Sequence, residues 1–221
     1  MYVIGVTGGV GSGKSALLQY LKDNCSCRIL LADEAAHEVE KPGGAIYREL
    51  TQLLEEAKKN ALLSAAEENG AAVSEDAPVL NSDGTICAKT MAALIFADKA
   101  LLEKVNSLVH PAVWDYVKEA VADERKAGKV RYFFLEAALL IECGYRAMVD
   151  EMWYIYCNEA VRRQRLKDSR GYSDEKIDSI MASQLSEEEF RAGTDYVIDN
   201  SGSLEDAFAQ IDRRLCGIGE V

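Results

Sequence analysis

Gly8-Gly9-Val10-Gly11-Ser12-Gly13-Lys14-Ser15 is a complete Gly-x4-Gly-Lys-Ser octapeptide. It follows an apolar run, Tyr2-Val3-Ile4-Gly5-Val6, and opens a helical pattern that carries Leu17, Leu18 and Leu21. A strand, a glycine-rich turn and a helix in that order form the setting in which this octapeptide binds phosphate. The glycines let successive backbone N–H groups turn toward one anion. The helix opening at the same point adds the positive end of its dipole. We therefore expect a nucleoside triphosphate as the ligand. Its contacts are Gly8, Gly9, Val10, Gly11, Ser12, Gly13, Lys14, Ser15 and Ala16, with Lys14 on the β- and γ-phosphates and the Ser15 hydroxyl on Mg2+.

Working outward, four more apolar runs lack polar alternation and read as buried parallel strands: Arg28–Leu31, Val130–Leu135, Met152–Cys157 and Tyr196–Ile198. Helical patterns separate them, including Trp114, Val117 and Val121, and Leu204, Ala207, Phe208, Ile211 and Leu215. Ser186 with Glu189, and Ser203 with Asp206, have capping-box spacing. Strand alternating with helix implies an α/β protein built on a doubly wound five-stranded parallel sheet of the P-loop nucleoside triphosphate hydrolase type. Its ligands should sit beyond the carboxyl ends of the strands. Residues 45–70 and 89–127 are helical in pattern, and 69–86 read as loop and turn, with Asn69-Gly70 and Asn81-Ser82-Asp83-Gly84 as its punctuation. Glu55–Glu68 reads as a solvated helix face. We expect one domain over 1–221, with a helical substrate-side insertion at about 41–127 and a mobile lid at about 162–185.

The net charge of −12 argues against nucleic acid as a partner. The six cysteines show no zinc-ligand spacing, and Cys25-x-Cys27 lacks a second pair. No leader pattern and no 18-residue uncharged apolar run is present. A soluble cytoplasmic protein with free thiols, away from membranes, is the expectation.

Some residues carry two readings. Asp33 follows the second strand, either as a base for an attacking hydroxyl or as the cap of a helix starting at Glu34. Glu136 ends the third strand and would hold Mg2+, through water. His110-Pro111 lies between two helical patterns, as a helix break or as a substrate contact, and His37 reads as an exposed helix residue. Arg162, Arg163, Arg165, Lys167 and Arg170 form a basic run, either a solvated face or a flap that neutralises phosphate charge.

Together these residues resemble the dephospho-coenzyme A kinase family. The resemblance rests on Ile4 through Ser15, on Ala32-Asp33 followed by Lys41-Pro42-Gly43, and on Asp83-Gly84-Thr85-Ile86 with Ile95-Phe96. Leu108-Val109-His110-Pro111, Leu139-Leu140-Ile141-Glu142, Gln184, and Asp195 through Asn200 complete it. It implies transfer of the γ-phosphoryl of ATP to the ribose 3′-hydroxyl of dephospho-coenzyme A. Asp33 would be the base, Lys14 and Ser15 the phosphate and Mg2+ contacts, and His110 and Glu136 further substrate contacts. The chain departs from the family pattern at Leu31, Ala88, Ala138, Ser169 and Ile180. With Ser169 and Ile180 in place of lid arginines, Arg165 and Arg170 are the expected lid cations. The alternatives are another nucleoside or nucleotide kinase of this architecture, and a nucleotide-dependent switch. No Asn-Lys-x-Asp segment supports the switch.

Overall fold

Strand β1 (Tyr2–Thr7) is the centre of the sheet, and almost its whole length is buried. The computed structural model describes residues 1–68 and 73–218, and for 64–68 only the backbone. β2 (Cys27–Leu31), β3 (Tyr132–Glu136), β4 (Glu151–Tyr156) and β5 (Tyr196–Asp199) complete a five-stranded sheet in the order β2-β3-β1-β4-β5. Every pairing is parallel. The expected strands are all found, with ends moved by one or two residues. Val130 and Arg131 fall outside β3, whereas Thr7, Glu136 and Asp199 are drawn in by pairing with their neighbours. Strand order reverses at β1, with β3 on one side and β4 on the other. A crevice forms at such a switch point.

The chain separates into two compact units, Met1–Leu31 with Val121–Val221, and Ala32–Ala120. The first holds the sheet. Helix α1 (Lys14–Asn24) and the C-terminal helix α9 (Leu204–Ile218) pack Leu17, Leu21, Ala207 and Ile211 against Ile4, Val6, Phe134, Trp153 and Ile198. Aromatic rings continue across this face from Phe134 to Trp153 to Tyr196, with centroids 5.7 and 6.0 Å apart. Burying that much apolar surface drives the sheet to form. After β4 come α6 (Glu159–Arg170), α7 (Asp174–Ala182) and α8 (Glu187–Ala192). The Ser186 hydroxyl accepts from the Glu189 N–H while the Glu189 carboxylate accepts from the Ser186 N–H, so the expected box is closed. Ser203 likewise accepts from the Asp206 N–H ahead of α9.

The second unit is helical: α2 (Ala32–Glu40), α3 (Tyr47–Glu68), α4 (Ala88–Ala97) and most of α5 (Lys99–Ala127). Two expectations are corrected here. His110-Pro111 does not break a helix, because α5 runs through Pro111. Proline gives up one N–H and crowds the preceding turn, but packed side chains carry the helix across it. Val105, Val113 and Val117 are buried along its length. The break falls instead at Asp98, whose carboxylate accepts from the N–H groups of Ala100 and Leu101 and so starts α5 afresh. Asp33 is also not a cap: α2 begins at Ala32, which places Asp33 inside its first turn. The Asn81–Gly84 turn is present, with Gly84 at φ +82° and its N–H donating to the Asn81 carbonyl. Asn69-Gly70 lies outside the described residues, as do the side chains of the acidic face beyond residue 63. Glu55 and Glu56 of that face are exposed, as expected.

Candidate active site

The turn between Thr7 and Lys14 closes on itself before any ligand is considered. The Ser12 N–H donates to the Gly9 carbonyl at 3.1 Å, and the Ala16 N–H to the Gly13 carbonyl at 3.1 Å. Gly11 and Gly13 stand at φ +83° and +89°, a region that residues with a side chain rarely adopt. Lys14 and Ser15 are therefore the first two residues of α1, at its positive end. The Lys14 ammonium folds back over the loop and donates to the Gly8 carbonyl at 2.7 Å. Glu136 closes β3 directly beside β1, in register with Val6, and its carboxylate is 3.6 Å from the Lys14 ammonium. The structure thus brings Glu136 up to the loop from Gly8 through Ala16. The Ser15 hydroxyl is exposed and makes no hydrogen bond among the described residues.

Arg165 and Arg170 separate. Arg165 reaches the loop, with one guanidinium N–H on the Ser12 carbonyl and on the Cys157 sulfur, both at 3.4 Å. Arg170 does not reach it: it is exposed at the end of α6 with its guanidinium over the Tyr172 ring. Helical spacing explains the split. Arg162 and Arg165 are three apart and share the face that meets the loop. Arg163, Lys167 and Arg170 follow at steps of four and three on another face. On that face Arg163 pairs with Glu159, Asp174 and Asp178, and Lys167 with Asp174. These ion pairs make most of the basic run a surface feature. Arg162 was not singled out from the run, yet its side chain lies against Gly9 and donates to the Val10 carbonyl at 3.1 Å.

Two further residues hold the loop. Gln184, just past α7, accepts from the Val10 N–H at 3.2 Å. Asn200, fully buried after β5, donates to the Ser12 carbonyl at 2.8 Å. Both were visible only as parts of a family pattern, since a lone Gln or Asn carries no long-range signal of its own. Thr7 Oγ1, Ser12 Oγ and Asn200 Oδ1 are buried around the loop without a hydrogen-bond partner among the described residues. Burial pushes the Cys157 thiol up, against the opposing pull of the Arg165 and Arg162 charges, which keeps it protonated beside the loop.

Asp33 and His110 belong to the second unit. Asp33 lies two residues beyond Leu31, the last residue of β2, which is in register with Glu136. Its carboxylate is exposed and engaged by no hydrogen bond or ion pair among the described residues. His110 is exposed in mid-helix. The same unit contains a cavity of about 730 Å3, lined by Lys41, Pro42, Gly43, Glu49, Pro111 and Tyr116 among others. No group of three or more His, Cys, Asp or Glu side chains suited to a metal ion occurs among the described residues. A hydroxyl and one carboxylate beside a phosphate loop instead suit Mg2+, a hard ion that keeps several waters and shares its coordination with phosphates. No described helix is long and apolar enough to cross a membrane.

Comparison with known proteins agrees with this geometry. A family model described as CoaE, dephospho-CoA kinase, matches residues 2–206. A Geobacter sulfurreducens dephospho-CoA kinase is 29% identical over 215 residues, covering 97% of this chain and 95% of that one. A solved Thermus thermophilus protein, TT1252, superposes with a TM-score of 0.72 at 25% identity, over 98% of this chain and 97% of its own. A Campylobacter jejuni dephospho-CoA kinase shares the fold, with a TM-score of 0.66 at 20% identity, over 99% and 97%. With that family model spanning nearly the whole sequence, and its loop folded as a phosphate cradle, the chain belongs to the dephospho-CoA kinase family.

Proposed function

We infer that the chain carries out the reaction for which its family is named. The γ-phosphoryl group of ATP passes to the ribose 3′-hydroxyl of dephospho-CoA, giving CoA and ADP in the last step of CoA biosynthesis. The observation that carries this reading is the placement of the Lys14 ammonium over the loop, 2.7 Å from the Gly8 carbonyl and 3.6 Å from Glu136. A triphosphate offers that ammonium several charged oxygens beside those of Gly8 and Glu136, so Lys14 turns to the phosphates when ATP binds. The loop N–H groups and the positive end of α1 take the remaining oxygens.

Phosphoryl transfer is catalysed mostly by positioning and by neutralising charge on the moving oxygens. In the proposed mechanism Lys14 and Arg165 supply that charge, and Asp33 takes the proton from the acceptor hydroxyl as the oxygen–phosphorus bond forms. Ser15 and Glu136 would hold Mg2+, directly or through water, and the ion when bound adds further neutralisation. The helical region at about 41–127 is assigned to the acceptor, with the 730 Å3 cavity, and His110 beside its Pro111, as the groups that receive it. The segment at about 162–185 is assigned the part of a lid over ATP. The net charge of −12 disfavours nucleic acid as a partner, and the thiols suit a reducing cytoplasm.

ADP release measured with and without dephospho-CoA tests the reading. Strong stimulation is expected, and Asp33→Asn should lower the stimulated rate roughly 10²-fold while ATP still binds. Stimulation by nucleosides but not by dephospho-CoA would overturn the acceptor assignment. A near-normal rate in Asp33→Asn would remove it as the base.

A further inference from the structure

The crest of the phosphate loop is held from outside by two side chains far away in sequence. Gln184 Oε1 accepts the Val10 N–H at 3.2 Å and one Arg162 guanidinium N–H at 2.9 Å. The Arg162 Nε–H donates to the Val10 carbonyl at 3.1 Å. Both polar groups of Val10 are thus tied into a closed ring of three hydrogen bonds. The ring needs a glycine beside it: a methyl group on Gly9 would lie 2.3 Å from an Arg162 guanidinium nitrogen. Unlike Arg163, Arg162 has no carboxylate within ion-pair distance among the described residues. Its charge is spent on a carbonyl and a neutral amide, an arrangement that fixes geometry without cancelling positive potential at the loop.

We propose that Arg162 and Gln184 form a brace that positions the phosphate loop for ATP, with Gln184 as the shared acceptor and Arg162 as the fork. The inference rests on the reading of the loop as the ATP site. Holding the Val10 peptide turned outward leaves the inward N–H groups of the following residues for phosphate and keeps the Val10 carbonyl from facing the anion. The brace also ties the α6–α7 segment to the loop, so the two are set together. Both residues act through the loop, and their effect should fall on ATP and spare the acceptor.

The test compares Gln184→Leu, Gln184→Glu, Arg162→Lys and the double variant Arg162→Lys/Gln184→Leu in steady-state kinetics, with wild-type ATP binding measured first by calorimetry. Gln184→Leu removes the acceptor and should raise KM for ATP about tenfold, the size expected for losing hydrogen bonds to a charged group, with KM for dephospho-CoA unchanged. Gln184→Glu keeps an oxygen for both donors but sets a carboxylate against Arg162 and beside the phosphates, so it should hold the wild-type Tm while raising KM for ATP. Arg162→Lys keeps the charge but lacks the fork and should resemble Gln184→Leu. The double variant should also lose about tenfold, not a hundredfold, because both changes break one device. Unchanged KM for ATP in folded Gln184→Leu or Arg162→Lys would overturn the brace. Should Gln184→Leu fail to fold, Arg162→Lys decides the matter by the same criterion. Absence of ATP binding by the wild type would instead sink the loop reading beneath it.

Discussion

Replacing Gly13 by alanine strikes the loop where conformation and packing coincide. Gly13 stands at φ +89°, and a methyl group there would come 2.3 Å from the Nδ2 of Asn200. Asn200 is fully buried and uses that nitrogen to donate to the Ser12 carbonyl at 2.8 Å. Left-handed backbone costs a residue with a side chain about 1–2 kcal/mol. Pushing the amide away leaves a buried carbonyl and a buried amide without their bond, which costs about 1–3 kcal/mol more. A loss of about 3 kcal/mol follows, which for a chain of this size lowers Tm by roughly 6–12 °C. Gly171→Ala is the matched control. Gly171 ends α6 at φ +61°, with nothing within 4 Å of the position its methyl would take. It should lose only the conformational part, about 1 kcal/mol and roughly 2–4 °C. Thermal unfolding followed by circular dichroism reads both. ATP titration should show at least tenfold weaker binding for Gly13→Ala and no change for Gly171→Ala. Equal Tm losses in the two variants, or wild-type ATP affinity in Gly13→Ala, would refute the reasoning.

Other outcomes follow from the same geometry. Glu136→Gln removes the carboxylate beside Lys14, and the Mg2+ concentration for half-maximal rate should rise about tenfold or more with little change in Tm; an unchanged Mg2+ dependence would take Glu136 out of the metal's surroundings. Arg163→Ala breaks only surface pairs, so it should move Tm little and leave KM for ATP alone; a large rise in that KM would mean the basic run is sorted wrongly. Burial, and then the nearby Cys25, raise the Cys27 thiol to about 11. The folded state then keeps a proton that the unfolded state releases near pH 9, so stability falls as pH rises from about 9 to 11. Cys27→Ala should flatten part of that decline in Tm, and an unchanged slope would contradict the assignment.

The fold was legible because its signals are local. Uninterrupted apolar runs marked all five strands, and the octapeptide placed Lys14 at a helix start. Strand order was not legible, since it depends on which buried faces meet across more than a hundred residues. Pro111 misled because proline's local preference for breaking a helix lost to packing along α5, while Asp98 broke it by capping. Arg170 was selected over Arg162 because it stands next to Ser169, where the family pattern has a lid arginine. The three-and-four spacing of the basic run already assigned Arg162 and Arg165 to one face and Arg170 to another. Asn200 and Gln184 could not be found by pattern alone, because their roles exist only where β5 and the end of α7 meet the loop.

The central claim is that backbone N–H groups and the Lys14 ammonium gather a triphosphate at the end of β1. Calorimetric titration of ATP with Mg2+ into wild type and Lys14→Ala tests it most directly. The account predicts saturable binding to the wild type and at least tenfold weaker binding to the variant. Equal affinities, or no binding by the wild type at millimolar ATP, would contradict it.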